Sequence, residues 1–176
     1  KSLKVSDYEA IAKLDGVKAA SPMTNGSYVV IYQNKNWTTS VSGVSYNYLD
    51  VNNWSMKSGR FLSEKNVQNR ERVAVVGKTV VKNLFGDEDP VGAEIRVKNI
   101  PFRIIGVLNS KGSGAMGNDQ DDMVIIPYTT AMERVEGVDY LRMIYVVGKD
   151  ENGIDRLQSD IENLLRVRHG IKDTNL

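Results

Sequence analysis

The chain has 176 residues, 41% of them apolar, enough to build one well-packed core or two small ones. Its 23 lysines and arginines nearly cancel its 22 acids and are scattered, so it offers no electrostatic footprint for a phosphate backbone and nucleic acid is not an expected partner. The absence of cysteine excludes disulfides and thiolate zinc sites, and no apolar run approaches the roughly 20 residues with which a helix crosses a bilayer.

Ser6 and Glu9 have the spacing of a capping box, which predicts a short helix with Tyr8, Ile11 and Ala12 facing inward and an end near Gly16. Residues 28–32 and 38–44 are rich in β-branched and aromatic side chains and flank Asn34, Lys35 and Asn36, the pattern of a hairpin. From Val51 the texture changes to short strands, at 72–76, 94–97 and 102–108, divided by Gly, Asn and Pro. One helix interrupts them at 79–85, with Val80, Val81, Leu84 and Phe85 on one face and Gly86 placed to end it.

After Met123 an α/β rhythm returns. Residues 123–126 predict a strand stopped by Pro127, Thr130 and Glu133 a second capping box before Gly137, and residues 141–147 another strand. Asn152 is expected to cap a last helix on which Ile154, Leu157, Ile161, Leu164 and Leu165 recur at helical spacing, with Gly170 at its end.

Several motifs fall short of chemistry. Gly112, Gly114 and Gly117 spell G-x-G-x-x-G, but acids follow where a helix should receive pyrophosphate, so a flexible loop is the better reading. Gly77, Lys78 and Thr79 end like a P-loop, yet Arg72 stands where its first Gly belongs, leaving a plain strand-to-helix turn capped by Thr79. Asp119, Asp121 and Asp122 lack the Gly and the bidentate Glu of a calcium loop, and read as a solvated acidic turn whose Asp side chains satisfy local amides. His169, the one histidine, sits at a helix end with no nucleophile motif to serve, and Trp37 and Trp54 read as packing. No catalytic residue, cofactor site or metal site is expected. The residues alone thus describe a non-catalytic α/β plus β domain.

Five ordered segments go further: Gly59-Arg-Phe-Leu62, Arg72-Val-Ala-Val-Val-Gly77, Leu84-Phe-Gly-Asp-Glu-Asp-Pro-Val-Gly92, Ile100-Pro-Phe-Arg-Ile-Ile-Gly-Val-Leu108 and Asp119-Gln-Asp-Asp122. In order and spacing they resemble the periplasmic core domain of MacB-like (FtsX-like) ABC transporter permeases. Gly16-Val-Lys-Ala-Ala-Ser-Pro22 fits the opening of that domain and Leu164-Leu-Arg-Val-Arg-His169 its closing helix. The resemblance implies an α+β fold: a porter-like α/β subdomain from both chain ends, residues 1–46 and 123–176, and an inserted β-rich subdomain, residues 47–122. This agrees with the change of texture near Val51 and back near Met123.

The resemblance further implies a domain inserted between the first two membrane helices of an inner-membrane permease. It would lie on the periplasmic or extracellular face and work as a pair of copies, with an ABC ATPase on the cytoplasmic side. A periplasmic adaptor and a TolC-type channel are the further partners it implies. Both chain ends should then lie on one side, with Arg166, Arg168 and Lys172 near it. Residues 110–122 form the one long loop, expected to pack little, and Gly112, Gly114, Gly117, Asp119, Asp121 and Asp122 are its candidate partner-contact residues. The alternative for the loop is a passive linker. The alternative for the domain is a regulatory or sensor module that uses the same fold to control one partner protein.

Overall fold

The computed structural model describes residues 2–114 and 117–170. Its longest strand, β1 (Val17–Tyr32), belongs to two units at once. The second half of β1 pairs antiparallel with β2 (Lys35–Val44), with Tyr32 opposite Lys35 and Gln33 turning the chain at φ 54°. The expected hairpin forms, but its turn is two residues, Gln33 and Asn34, and β1 begins at Val17 instead of Tyr28. Residues 17–27 include Lys18, Pro22, Asn25 and Gly26, which disfavour strands locally; pairing with neighbours overrides that preference.

From β2 the ladder continues to β7 (Met123–Pro127) in parallel, to β4 (Val73–Val76), and to β6 (Ile100–Leu108) in parallel. It then passes to β5 (Glu94–Val97) and returns to β1 at Val30 and Ile31. These six strands close into a small barrel. Alternation sends Ala74, Val76, Ile95, Val97, Phe102, Ile104, Val124 and Ile126 inward, where they meet Val30 and Val41. Helix α4 (Lys78–Leu84) adds Val80, Leu84 and Phe85 to the same core and ends at Gly86, φ 61°, as its sequence predicts. Lys98 and Asn99, φ 49° and 64°, make a two-residue turn between β5 and β6.

The outer faces of β4, β6 and β7 are buried too, because Val75, Ile105, Leu108 and Ile125 pack beneath Tyr48 of α2 (Tyr48–Val51) and Leu62. Strand β3 (Met56–Gly59) extends this layer along β6, and α3 (Glu64–Gln68) is capped by Ser63, whose hydroxyl accepts from the Asn66 amide at 3.0 Å. These three elements span too few residues to show a period, so none was expected from the sequence.

The first half of β1 pairs instead with β8 (Met143–Gly148), and α1 (Val5–Ala12) and α6 (Ile154–His169) cover that pair. Ile11, Val17, Ala20 and Leu157 form its separate small core. Three cap expectations are corrected here. Helix α1 starts two residues earlier than the Ser6 box implies: Lys4 is its cap, and Asp7 accepts from the Lys4 amide at 2.8 Å. Thr130 caps nothing; it lies in a helix running from α5 (Tyr128–Thr130) into a π-turn at Ala131–Glu136, and its hydroxyl donates to the Glu71 carbonyl at 2.8 Å. Asp150, not Asn152, caps the 3-10 turn Glu151–Gly153 that leads into α6.

The architecture is mixed α and β, the α+β class expected. The ladders β1–β5 and β4–β7 cross the boundaries expected at residues 46 and 122, so residues 47–122 share one barrel with strands from both chain ends.

Candidate contact loop and the pole of the chain ends

The loop of residues 110–122 connects β6 to β7, and its three acids are each spent on a different neighbour. Asp121 is buried at 4% exposure and accepts three hydrogen bonds: from the Ser110 hydroxyl at 2.6 Å, the Lys111 amide at 2.7 Å and the Gly112 amide at 3.1 Å. Burial alone would raise its pKa, but these donors and the charge of Lys78 outweigh burial and hold the carboxyl below its ordinary range. Asp119 accepts from the Asp121 amide at 2.9 Å and, through its other oxygen, from the Thr79 hydroxyl at 2.5 Å. Asp122 ties the loop to β2, accepting from the Trp37 indole at 2.8 Å and the Thr39 hydroxyl at 2.7 Å.

The acidic turn does satisfy local amides as expected, but its solvation is corrected: Asp121 is buried, and the base of this loop is a built clamp. Its second strand also presses on α4. The Thr79 amide donates to the Asp121 carbonyl at 3.2 Å, and that carbonyl oxygen lies where a Cβ on Gly77 would have to go. Gly77, not Thr79, caps α4, and Thr79 is used to hold Asp119. Gly77 thus answers to a close backbone approach, not to phosphate.

Beyond the clamp the loop narrows. Ser113 bridges to Asp119, the Gly114 amide donates to the Asn118 carbonyl at 2.8 Å, and the Gly117 amide to the Gly114 carbonyl at 3.0 Å. Gly112 and Gly117 take φ 73° and 77° with open space around them, a conformation only glycine enters without strain. After Gly117 the chain passes through residues 118–122 straight into β7, with no helix. Of the six candidate residues, the structure thus gives Asp119, Asp121, Asp122 and the Gly112 amide to the base, while Gly114 and Gly117 lie beyond it. Among the described residues no three acidic or histidine side chains converge in a way that could hold a metal ion.

At another place the first and last helices meet. Asp7, 2% exposed, receives the Arg168 guanidinium at 2.7 Å on one oxygen, and His169 Nε2 stands 2.9 Å from the other. Burial would raise this carboxyl, but the Arg168 guanidinium, the Lys4 amide and the His169 ring together hold it down at about 2. The Leu3–Leu141 bridge and the Lys4–Asp139 ion pair at 3.1 Å fix the preceding residues. Among the described residues, Ser2 and Lys4 lie beside Arg168 and His169, so the described ends of the chain share one side, as the sequence reading expects. Arg168 faces Asp7 there, Arg166 donates to Asn163 at 3.2 Å, and Lys172 falls outside the described residues.

One feature escaped the sequence. A groove of about 720 Å³ is lined by Arg60, Arg70, Arg72, Arg103 and Arg134, five of the ten arginines in the chain. Their positions carry no period; the parallel pairing that sets Val73 beside Arg103, and the Thr129 and Thr130 hydroxyls that donate to the Val67 and Glu71 carbonyls, bring the distant pieces together.

The family model for the MacB-like periplasmic core domain matches residues 1–164. The chain is 37% identical, over 98% of its length, to a protein of Marinobacter nauticus named macrolide export ATP-binding/permease protein MacB. It is 42% identical, again over 98%, to the protein of that name from Rhodospirillum rubrum. It spans 27% of the length of either relative. The crystal structure of the periplasmic region of MacB from Actinobacillus actinomycetemcomitans superimposes with a TM-score of 0.87 at 28% identity, over 98% of this chain and 77% of that one. The extracellular domain of the noncanonic ABC-type transporter YknZ from Gram-positive bacteria shares the fold, with a TM-score of 0.86 at 20% identity over 98% of this chain and 87% of that one. Fold, ordered motifs and relatives converge: the chain belongs to the family of MacB-like periplasmic core domains.

Proposed function

We propose that this domain is the extracytoplasmic part of an ABC transporter permease and relays ATP-driven motion outward to drive export of a substrate. The observation that carries the reading is that the described ends of the chain lie side by side. A segment inserted between two neighbouring membrane helices must leave and re-enter the same bilayer, and Asp7 joined to Arg168 and His169 supplies that geometry. Movement of the membrane helices then reaches the domain at one end.

The two-part division into residues 1–46 with 123–176 and residues 47–122 belongs to the same reading. The separate core around Ile11 and Leu157 supports it. The ladders β1–β5 and β4–β7 join the parts through backbone hydrogen bonds, so in this account both parts move as one body with little loss of displacement between them. Two copies act together, an ABC ATPase drives them from the cytoplasmic side, and an adaptor with a TolC-type channel receives the substrate. Gly112, Gly114 and Gly117 carry the projecting loop toward a partner, held in place by Asp119, Asp121 and Asp122.

The test expresses the full-length transporter in a host stripped of its own efflux pumps, with a macrolide first among the drugs because the relatives bear that name. The intact transporter is expected to lower drug sensitivity. A version lacking residues 1–170, at equal membrane expression, is expected to hydrolyse ATP without protecting. Equal protection without the domain would refute the relay.

A further inference from the structure

We infer that the arginine-lined groove is a docking site for an acidic segment of a protein partner. The chain as a whole is nearly neutral, at +1, yet this groove gathers five guanidinium groups against a single carboxylate in its lining, Glu71. Asn66 occupies that carboxylate and also accepts from Arg60 at 3.1 Å. Arg70 is paired with Glu133 at 3.2 Å, a pair exposed on both sides. Glu94, opposite Arg103 in the β5–β6 ladder, forms no ion pair with it, and Arg72, Arg103 and Arg134 have no acidic partner within ion-pair distance among the described residues.

Arg70 follows the end of α3 at φ 51°, a position normally left to glycine because a side chain costs about 1–2 kcal/mol there, yet an arginine stands at it.

Chemistry and shape select the occupant. Planar guanidinium forks recognise carboxylates and phosphates in pairs of parallel hydrogen bonds. The concavity of about 720 Å³ is far larger than one small anion needs and falls within the size range of sites that enclose a drug-sized ligand. A flat bilayer cannot enter it. Val73 lines the groove and Val91, 37% exposed, stands at it, giving apolar contact that a free phosphate would not use. An extended segment with alternating carboxylates and an apolar side chain satisfies all three features. The inference concerns the domain itself and does not require that the transporter exports.

The experiment titrates the chain into a fluorescent glutamate-rich peptide with a central leucine and follows anisotropy. Inorganic phosphate and phosphatidylglycerol vesicles form parallel arms. Saturable binding to the peptide is expected, tighter than to either other probe and weakened by salt. Arg103→Ser with Arg134→Ser is expected to weaken it by about tenfold or more, since a hydrogen bond to a charged group is worth at least that. Both side chains are exposed, so thermal unfolding should stay unchanged. Arg156→Ser, on α6, should bind as the parent does. Absence of peptide binding, or equal binding by the double variant, overturns the inference. Phosphate or vesicles binding as tightly as the peptide overturns it too, in favour of a small-anion site or a membrane contact. Because none of these readouts is transport, their failure would leave the relay standing, and a failed relay would leave the groove standing.

Discussion

Replacing Asp7 by Asn removes the charge that joins the two chain ends while keeping the shape and an acceptor oxygen for the Lys4 amide. The folded carboxyl is held at about 2 against an ordinary 3.8. At about 1.4 kcal/mol per pH unit, that difference corresponds to at most about 2.4 kcal/mol of folding free energy. The Arg168 side chain is 35% exposed, so solvent screens part of this and about 2 kcal/mol is the expected loss. Because the folded value lies below the unfolded one, the contribution is fully present above pH 4 and disappears as pH falls through about 2. For a domain of this size the loss lowers the unfolding midpoint by roughly 4–8 °C at pH 7. Thermal melts of parent and Asp7→Asn at pH 7, 4, 3 and 2 measure it directly, and acids common to both, Asp121 included, cancel in the difference. Equal midpoints at pH 7, or a gap that persists undiminished at pH 2, would refute the reasoning.

Other residues give independent checks. Asp121→Ala should destabilise by about 2–3 kcal/mol in urea unfolding, because it leaves the Lys111 and Gly112 amides and the Ser110 hydroxyl without their acceptor. The low-lying Asp121 carboxyl adds stability that is likewise lost on acidification, so the Asp121→Ala and parent curves should converge at low pH. Gly77→Ala drives a methyl group into the Asp121 carbonyl and should cost about 1–3 kcal/mol, measured in the same assay. Shortening the loop within residues 113–117 leaves the Gly112 amide on Asp121, so the melting temperature should change by less than about 3 °C while export by the full transporter falls; normal export at equal expression would make the loop a linker.

What could be read in the sequence follows from how local each signal is. The elements that build the barrel core were legible in the strands at 72–76 and 102–108 and in the helix face of Val80, Leu84 and Phe85, because strand composition and a glycine-ended helix are set by neighbours in the chain. Closure of the barrel was not, since it depends on the parallel pairing of β2 with β7 and of β4 with β6 across long stretches of sequence. The loop was found from its glycines and acids, and the acids were read as solvated with local amides for partners; only the structure buries Asp121 and sets Ser110 against it, Thr79 against Asp119, and Trp37 against Asp122. His169 was rightly placed at a helix end, while its partner Asp7 lies at the far end of the chain, beyond any local pattern. The arginine groove left no local trace, because balanced charge along the sequence conceals a cluster made in space.

The central claim is that the domain moves when the ATPase does. This part of the transporter has no cysteine, so Lys57→Cys, on the exposed strand β3, gives one spin label here per copy. Electron–electron distance measurement between the two copies, in the full-length transporter on a background cleared of other cysteines, is compared without nucleotide and with ATP trapped on a hydrolysis-deficient ATPase. The account predicts a shifted distance distribution between the two states. Identical distributions, in a labelled transporter with normal hydrolysis that still exports, would contradict it.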